Sequence, residues 1–458
     1  MEGILKSSLI RHHAIIRYSI ILTGVLAIGL FFLAVSTPVK AQESQHLTYT
    51  VKTSVDGQVL EDTFVNGSPT PPPGTEAERR PINLSAAISP DSIVSLPVPT
   101  YEWVFSCGAV SGSMIAAYYD RNGYPNIYTG PTNGGVMPMD SSPWPAWTDG
   151  AGATYAQVPL AASRQGLDGR ATRGSLDDYW VSYGSSAQDP YITNAWTQHT
   201  WGDAIGDYMK SSQSAYGNSD GSTQIWTFSS ASSYNCTSMS ATAKSDDGTY
   251  GRKLFYEAKG YTVTDCYNQH TDNFISGGFS LSQFQAEIDS GNPVYIFLHN
   301  ASTGAGHFVV GMGYDTASNT IYINDTWDYS NHAMIWGGSY SNMPMESVGV
   351  VHLAKSASTT TITANSPDPS FTNLSYTVSV TVSGAYGNPS GSVTISDGSA
   401  SCQATLSGGA GSCDLTSTSP GNKTLTATYP GDLADNPSSG TTAHQVLTRV
   451  ILPVIIMQ

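Results

Sequence analysis

The run Ser106–Asp120, SCGAVSGSMIAAYYD, constrains this chain more than any other stretch. Val110, Met114 and Tyr118 recur every four residues, which is the spacing of one face of an α-helix. Small side chains fill the positions between them, so we expect the helix to be packed tightly in a core.

Cys107 stands at the start of this predicted helix, directly after Ser106. Ser106 is a suitable N-cap, because its hydroxyl can accept a hydrogen bond from a free amide of the first turn. A thiol at this position feels the positive end of the helix dipole, which favours the nucleophilic thiolate. Cys107 is therefore either a small core residue or a nucleophile.

Length and charge limit the classes of protein. A chain of 458 residues is too long for one compact domain, so we expect two or three domains. Only 12% of the residues are charged, and 35 acidic against 19 basic residues give a formal net charge of -16. This balance argues against nucleic acid and anionic membranes as partners.

The N-terminus predicts export. Lys6, Arg11 and Arg17 precede an apolar run over residues 20–35, and Val39-Lys40-Ala41 is a small-x-small cleavage site. Residues 1–41 are predicted to be a signal peptide, with an uncleaved anchor as the alternative. The apolar run is shorter than the ~20 residues of a membrane span, so no span is expected after cleavage. The predicted location is secreted or cell-surface.

Residues 42–96 are weakly patterned and are predicted to be a linker or pro-segment. The Pro-rich stretch over residues 68–81 is typical of an extended linker. Within it, Glu78-Arg79-Arg80 is expected to be a solvated charged linker, with a processing site as the alternative.

The five cysteines are informative because cysteines of exported proteins tend to pair. Cys402 and Cys413 flank a turn in a hairpin pattern, so we expect them to face each other across it. Cys236 and Cys266 lie in one loop-rich region and can form a second pair. Cys107 is left over, either for an intermolecular bond or as a free reactive thiol.

Residues 97–355 form the predicted main domain. A second helix is predicted near residues 281–289, with a capping-box pattern at Ser280 and Gln283. Strands are predicted over residues 294–298, 307–313 and 320–325. Helices first and strands last indicate an α+β domain, with an N-terminal helix lobe and a C-terminal antiparallel sheet.

Residues 356–447 have another pattern. Over residues 374–383, apolar and polar side chains alternate strictly, as in half-buried antiparallel strands. The pattern repeats around Val393 and Leu425, which predicts an all-β sandwich. Residues 448–458 are an apolar tail, too short to span a bilayer.

A late hairpin supplies partners for Cys107. His307 opens one apolar strand and Asp325 closes the next, and two adjacent strands can bring these side chains together. A thiol nucleophile needs a base to take its proton and a third group to hold that base. Asn324 is the alternative to Asp325, since a shift of one residue in register would exchange them. His299 is the second choice for the base.

The chain resembles known families on these residues. Four pieces of the sequence are similar to papain-like cysteine peptidases of the bacteriocin-processing type. They are Cys107-Gly108 before a helix ending in Tyr118-Tyr119, Gly291-Asn292-Pro293-Val294, residues 306–311 and residues 324–327. GNPSGSVTISDG and GNKTLTATYPGD resemble bacterial Ig-like repeat domains.

The peptidase resemblance implies roles for particular residues. Cys107 would be the nucleophile, His307 the general base and acid, and Asp325 the orienting carboxylate. Members of the family usually carry a glutamine about six residues before the cysteine as an oxyanion donor, whereas this chain has Glu102 and Trp103 there. An ionised Glu102 can only accept, so either the Trp103 indole N–H substitutes for the glutamine or the oxyanion hole rests on the Cys107 amide alone.

The sequence thus predicts a secreted cysteine peptidase that hydrolyses peptide bonds through a thioester. The alternatives are an extracellular binding protein that keeps the fold without full activity, or an acyltransferase using the same triad. The expected partner is a peptide or protein substrate, with a cell-wall or cell-surface component as a second partner of the Ig-like domain. No cofactor is expected, and no metal site, since the other histidines lack neighbours at ligand spacing.

Overall fold

The structure is a computed structural model that describes residues 47–55, 57–84, 92–148, 152–162, 204–213, 216–218 and 221–448. The chain divides into Met1–His46 and Leu47–Gln458, and all the described residues belong to the second unit. The predicted signal peptide and nearly all of the predicted apolar tail lie outside the described residues. Among the described residues, no helix combines the length and apolarity needed to cross a membrane.

Strands outnumber helices, so the described structure is mostly β. The helices are α1 (Cys107–Arg121), α2 (Ile205–Met209), α3 (Ala241–Asp246), α4 (Gly248–Ala258) and α5 (Leu281–Asp289). The strands of the N-terminal part are β1 (Tyr49–Val55), β2 (Gln58–Val65), β3 (Ile93–Ser95), β4 (Trp147–Thr148), β5 (Thr154–Tyr155), β6 (Thr223–Phe228), β7 (Tyr234–Asn235), β8 (Val263–His270), β9 (Val294–Asn300), β10 (Ala305–Asp315), β11 (Thr320–Asn324), β12 (His332–Ile335), β13 (Ser339–Tyr340) and β14 (Met343–Leu353). Those of the C-terminal part are β15 (Ser358–Ser366), β16 (Ser370–Phe371), β17 (Ser375–Gly384), β18 (Ser392–Ser396), β19 (Ser401–Thr405), β20 (Ala410–Thr416), β21 (Gly421–Tyr429) and β22 (Ser438–Leu447).

Helix α1 is the buried helix that the sequence predicts. The Ser106 hydroxyl accepts hydrogen bonds from the backbone N–H groups of Gly108 and Ala109, so the predicted N-cap is confirmed. Every residue from Cys107 to Asp120 is buried. The small side chains allow this close packing, since a Cβ added to Gly112 would lie 3.0 Å from Sδ of Met209.

A nine-stranded sheet forms the centre of the N-terminal part. Its main order is β12-β11-β10-β9-β14-β8-β7, with β13 on β14 and β3 on β10. All its pairings are antiparallel. Helix α1 packs against β10, and the Ser111 hydroxyl donates to the Phe308 carbonyl at 3.0 Å. The capping box of α5, Ser280 with Gln283, is present as predicted.

A hairpin lies within residues 42–96, the stretch that the sequence analysis takes as a linker or pro-segment. Strands β1 and β2 pair along their whole length, and β2 continues the sheet onto β6, with Leu60 to Val65 opposite Phe228 to Thr223. The Glu61 carboxylate holds the hairpin further, through Lys52 at 2.5 Å and His270 at 3.1 Å. This segment is therefore integrated into the domain.

The C-terminal part is a sandwich of two sheets, β15-β17-β20 and β16-β22-β21-β18-β19. Both predicted disulfides are confirmed, and Cys107 is a free, buried cysteine. The predicted hairpin between Cys402 and Cys413 is wrong. Strand β19 pairs with β18 and β20 pairs with β17, so this disulfide joins the two sheets.

The sandwich also touches the N-terminal part. Tyr386 packs against Tyr124 and Tyr261, with ring centroids 5.9 and 5.0 Å apart. The Tyr124 hydroxyl donates to the Leu433 carbonyl at 3.1 Å. These contacts join the two parts through the buried rings of Tyr124 and Tyr261 and the half-buried ring of Tyr386.

Candidate active site

Cys107 and His307 meet where the start of α1 faces strand β10. Both residues are fully buried. The hydrogen bond from Ser111 to the Phe308 carbonyl fixes the helix on this strand, one turn after Cys107 and one residue after His307. The two predicted residues, 200 positions apart in the sequence, are thus brought together by the packing of α1 on the sheet.

Gly67 lies directly on this pair. A Cβ added to Gly67 would be 2.1 Å from Sγ of Cys107 and 3.0 Å from Nδ1 of His307, so both atoms face the same point. Hydrogen bonding by the Gly67 backbone also lowers the pKa of the Cys107 thiol. Nδ1 of His307 is buried and has no hydrogen-bond partner among the described residues. The free lone pair or proton of the imidazole therefore faces the thiol and the Gly67 backbone.

Trp103 holds the Gly67 carbonyl. Its indole N–H donates to this oxygen at 3.0 Å, in a fully desolvated position. Glu102, the other residue of the predicted oxyanion region, instead interacts with Tyr329, and burial raises the pKa of its carboxyl. Of Glu102 and Trp103, it is therefore Trp103 whose side chain donates to a carbonyl beside Cys107.

The far side of the His307 ring is held by the end of β11. Nε2 lies 2.7 Å from the Asp325 backbone carbonyl and 3.1 Å from the Thr326 hydroxyl. Thr326 has φ 67°, a left-handed conformation that is rare for a β-branched residue. This turn presents both oxygens to Nε2, and the Trp327 ring stacks on the imidazole at 3.8 Å.

The Asp325 carboxylate is used differently from the prediction. It accepts hydrogen bonds from the Tyr340 hydroxyl at 2.7 Å, from Nε of Arg79 at 2.8 Å and from the Trp327 backbone N–H at 3.0 Å. The predicted orienting partner of His307 is thus present as a backbone carbonyl. The reason is that β11 ends at Asn324, so Asp325 belongs to the following turn and not to the strand.

The two alternative residues point elsewhere. The Asn324 side chain donates to the carbonyls of Val98 and Pro99, at 3.3 and 3.1 Å, and is not directed at His307. His299, the second choice for the base, hydrogen-bonds the Glu346 carboxylate at 2.8 Å. In this geometry both residues have structural partners of their own.

Burial decides the protonation of the central pair. Desolvation raises the pKa of the Cys107 thiol to about 12, partly opposed by backbone hydrogen bonds that include Gly67. Desolvation lowers the pKa of His307 to about 4, although the Asp325 carbonyl and carboxylate favour the charged ring. With Gly67 in place, the pair at neutral pH is therefore a thiol and a neutral imidazole.

A second cluster beside the pair was missed by the sequence analysis. One ligand atom each of Asp325, Asp328 and His332 lie within 4.8 Å of one another. The sequence prediction that His332 lacks such neighbours is wrong, because the turn after β11 folds back onto β12. The cluster already has a cation: Arg79 donates to Asp325 and Asp328, each at 2.8 Å.

Arg79 itself corrects the expectation of a solvated linker. Its guanidinium lies 5.1 Å from the Trp327 ring centroid as well as on the two carboxylates, and only 12% of the side chain is exposed. The Trp327 indole N–H donates to the Ser68 carbonyl at 2.9 Å. Contacts near both ends of residues 66–79 thus hold this segment across the site. No short-range sequence pattern predicts this arrangement.

Two family models match parts of the chain. Residues 190–343 match the Peptidase_C39 like family. Residues 354–448 match the bacterial Ig-like domain, group 3. The order of the two domains is the one that the sequence predicts. The peptidase-like match includes His307 and Asp325 but begins after Cys107, so it bears on the base side of the site alone.

Other comparisons add little. No curated protein matches the chain. Matching solved structures include fibronectin(III)-like modules of CbhA from Clostridium thermocellum, at 14% identity over 34% of this chain and 78% of that chain, with a TM-score of 0.19. Another is the glycoside hydrolase domain of Endo-D, Spr0440, from Streptococcus pneumoniae R6, at 13% identity over 34% of this chain and 27% of that chain, with a TM-score of 0.17. Scores this low bear on neither fold nor function.

Proposed function

We propose that this protein is a secreted cysteine peptidase of α+β, papain-like architecture, which hydrolyses peptide bonds through a thioester on Cys107. The family match supports a peptidase-type domain. The observation that carries the proposal is the common point faced by Sγ of Cys107 and Nδ1 of His307, where Gly67 lies. A free thiol, an unpartnered imidazole nitrogen and an indole donor on a carbonyl are the parts that acyl transfer needs.

In this mechanism His307 acts as a general base. Because burial keeps the thiol protonated and the imidazole neutral, Nδ1 takes the thiol proton as sulfur attacks the carbonyl, without a preformed ion pair. The Asp325 carbonyl and Thr326 hydroxyl at Nε2 fix the ring and stabilise the imidazolium that forms. Trp103 donates to the developing oxyanion, and a buried donor of this kind contributes about 3 kcal/mol.

The Asp325 carboxylate acts as a positioning group. It is held by Tyr340 and Arg79, and it adds negative charge beside the imidazole without contacting Nε2. The carboxylate therefore favours the protonated ring by its charge, while the backbone carbonyl of the same residue sets the ring orientation.

Export is the second part of the proposal. Two disulfides and an Ig-like domain are consistent with an extracellular protein. The N-terminal sequence, with basic residues before an apolar run, supports a cleaved signal peptide. The Ig-like domain would then present the peptidase outside the cell.

The test compares the wild-type chain with Cys107→Ala on fluorescently labelled casein. We expect hydrolysis by the wild-type chain and its complete loss in the variant, with the same melting temperature. Cys236 and Cys266 remain paired in both chains, so the loss would report Cys107 alone. Equal hydrolysis by both chains would refute the role of Cys107.

A further inference from the structure

We propose that the chain is its own first substrate, and that Cys107 cleaves the peptide bond between Gly67 and Ser68. This inference rests on the proposed function and names a substrate for it. It assigns a processing site inside residues 42–96, which the sequence analysis leaves open as a linker or pro-segment.

The backbone carbonyls of Gly67 and Ser68 are both bound at the site. Two indoles hold consecutive carbonyls: Trp103 donates to the Gly67 oxygen at 3.0 Å, and Trp327 donates to the Ser68 oxygen at 2.9 Å. Trp327 also stacks on His307, so the ring that binds the segment is the ring that fixes the base. The Gly67 carbonyl is the acyl group whose oxygen already has a buried donor.

The flanking chain keeps this segment in place. On the N-terminal side, β2 ends at Val65 and is paired with β6 up to that residue. On the C-terminal side, Arg79 is fixed by ion pairs to Asp325 and Asp328. The bond is therefore presented within one molecule, at a high effective concentration.

Only glycine fits at position 67. An added Cβ would lie 2.1 Å from Sγ and 2.9 Å from Cβ of Cys107, and 3.0 Å from Nδ1 of His307. Contacts below 3.0 Å require the neighbouring atoms to move. A side chain at this position would push the backbone off the catalytic pair, whereas glycine lets the backbone approach the sulfur.

The reaction is balanced with water as the only co-reactant. Nδ1 of His307 takes the thiol proton while Sγ forms a bond to the Gly67 carbonyl carbon. The bond from that carbon to the Ser68 nitrogen breaks, and His307 returns the proton to the leaving amine. Water then hydrolyses the thioester, which leaves a carboxylate on Gly67 and regenerates the thiol.

Cleavage would not by itself release the N-terminal piece. Residues 60–65 would stay paired with β6, and Glu61 would stay bonded to His270. The two pieces must therefore be separated by denaturation before they are weighed.

The experiment follows the purified full chain over time by intact-mass spectrometry under denaturing conditions. We expect a product that begins at Ser68 and a partner that ends in a free carboxylate at Gly67, at a rate independent of protein concentration. Cys107→Ala and Gly67→Ala should stay uncut at this bond. Ser68→Ala is the matched control and should be cut, because the hydrogen bonds of the Ser68 hydroxyl within the described part of the chain go to Thr70.

The outcomes separate this inference from the proposed function. A wild-type chain that stays intact at Gly67 but hydrolyses casein through Cys107 overturns self-cleavage alone. A chain that does neither overturns both. Cutting of Cys107→Ala at the same bond would identify a foreign protease and overturn the inference. Circular dichroism of Gly67→Ala verifies its fold, and Trp103→Phe, which keeps a six-membered ring but lacks the indole N–H, should slow the cut about a hundredfold.

Discussion

Arg79 offers the sharpest stability prediction, since one side chain fastens a long segment to the site. Arg79 donates to Asp325, which is fully buried, and to Asp328, which is partly exposed. Replacing Arg79 by alanine leaves the Asp325 carboxylate with Tyr340 and the Trp327 backbone N–H but without the guanidinium. Removing one partner of a buried ion pair costs about 3–5 kcal/mol. We take about 3 kcal/mol here, because Arg79 keeps some exposure.

The assay is urea unfolding followed by tryptophan fluorescence. All nine tryptophans lie between residues 103 and 336, so the signal reports the N-terminal part and not the Ig-like domain. The variants are built on Cys107→Ala, which keeps every chain covalently intact. Arg80→Ala is the matched control, because Arg80 is the next residue in the sequence and its side chain is exposed. We expect its free energy of unfolding to change by less than about 0.5 kcal/mol.

The loss should depend on pH. The pKa of His332 is raised: burial lowers it, but Asp328 and Asp325 outweigh burial. A histidine with a raised pKa is charged, and its stabilisation complete, below about pH 6.5, and this contribution fades as the pH rises through the raised pKa. Protonated His332 lies 3.6 Å from Asp325 and can partly replace Arg79. The deficit of Arg79→Ala should thus be smaller at pH 5.5 than at pH 8. A deficit equal to that of Arg80→Ala at both pH values would refute the reasoning.

Three further predictions concern other parts of the chain. Trp103→Phe, which removes the indole N–H and the five-membered ring of a buried side chain, should lower the kcat of casein hydrolysis about a hundredfold through loss of the oxyanion donor; an unchanged kcat would remove Trp103 from the mechanism. Asp62→Asn should stabilise the chain more at pH 9 than at pH 5. Burial and the nearby Asp246 and Asp247 raise the pKa of Asp62 to about 8, so ionisation of this carboxylate at higher pH lowers the stability of the folded chain. Thermal melts in which Asp62→Asn stabilises the chain equally at pH 5 and pH 9 would show that the carboxylate is hydrated and would contradict the prediction. Replacing Cys402 and Cys413 together by alanine should destabilise the Ig-like domain by about 3 kcal/mol, as expected for a bridge spanning 11 positions; calorimetry should show the lower transition for that domain alone.

The sequence predicts the local parts of this structure well. The four-residue spacing after Cys107 and the hydroxyl of Ser106 contain enough information for α1, because helix periodicity and capping depend on near neighbours. The same holds for α5 and its capping box. Chain order and spacing also bring out Cys107 and His307 as candidates.

Contacts between residues far apart in the chain could not be predicted from the sequence. Cys402 and Cys413 pair as predicted, but the partners of their strands are set by β17 and β18, which no short window contains. The contacts of the Asp325 side chain depend on the end of β11 at Asn324, one residue earlier than predicted. Gly67 lies in a stretch with weak local patterning and becomes important only because β2 pairs with β6 and Arg79 reaches Asp325.

The most direct test of the account is to alkylate the native protein with iodoacetamide and to measure casein hydrolysis on the same samples. Peptide mapping gives the alkylated fraction of Cys107, while the other four cysteines are protected in disulfides. The account predicts that activity falls in direct proportion to the alkylated fraction of Cys107 and reaches zero when alkylation is complete. Full activity in a sample whose Cys107 is completely alkylated would contradict it.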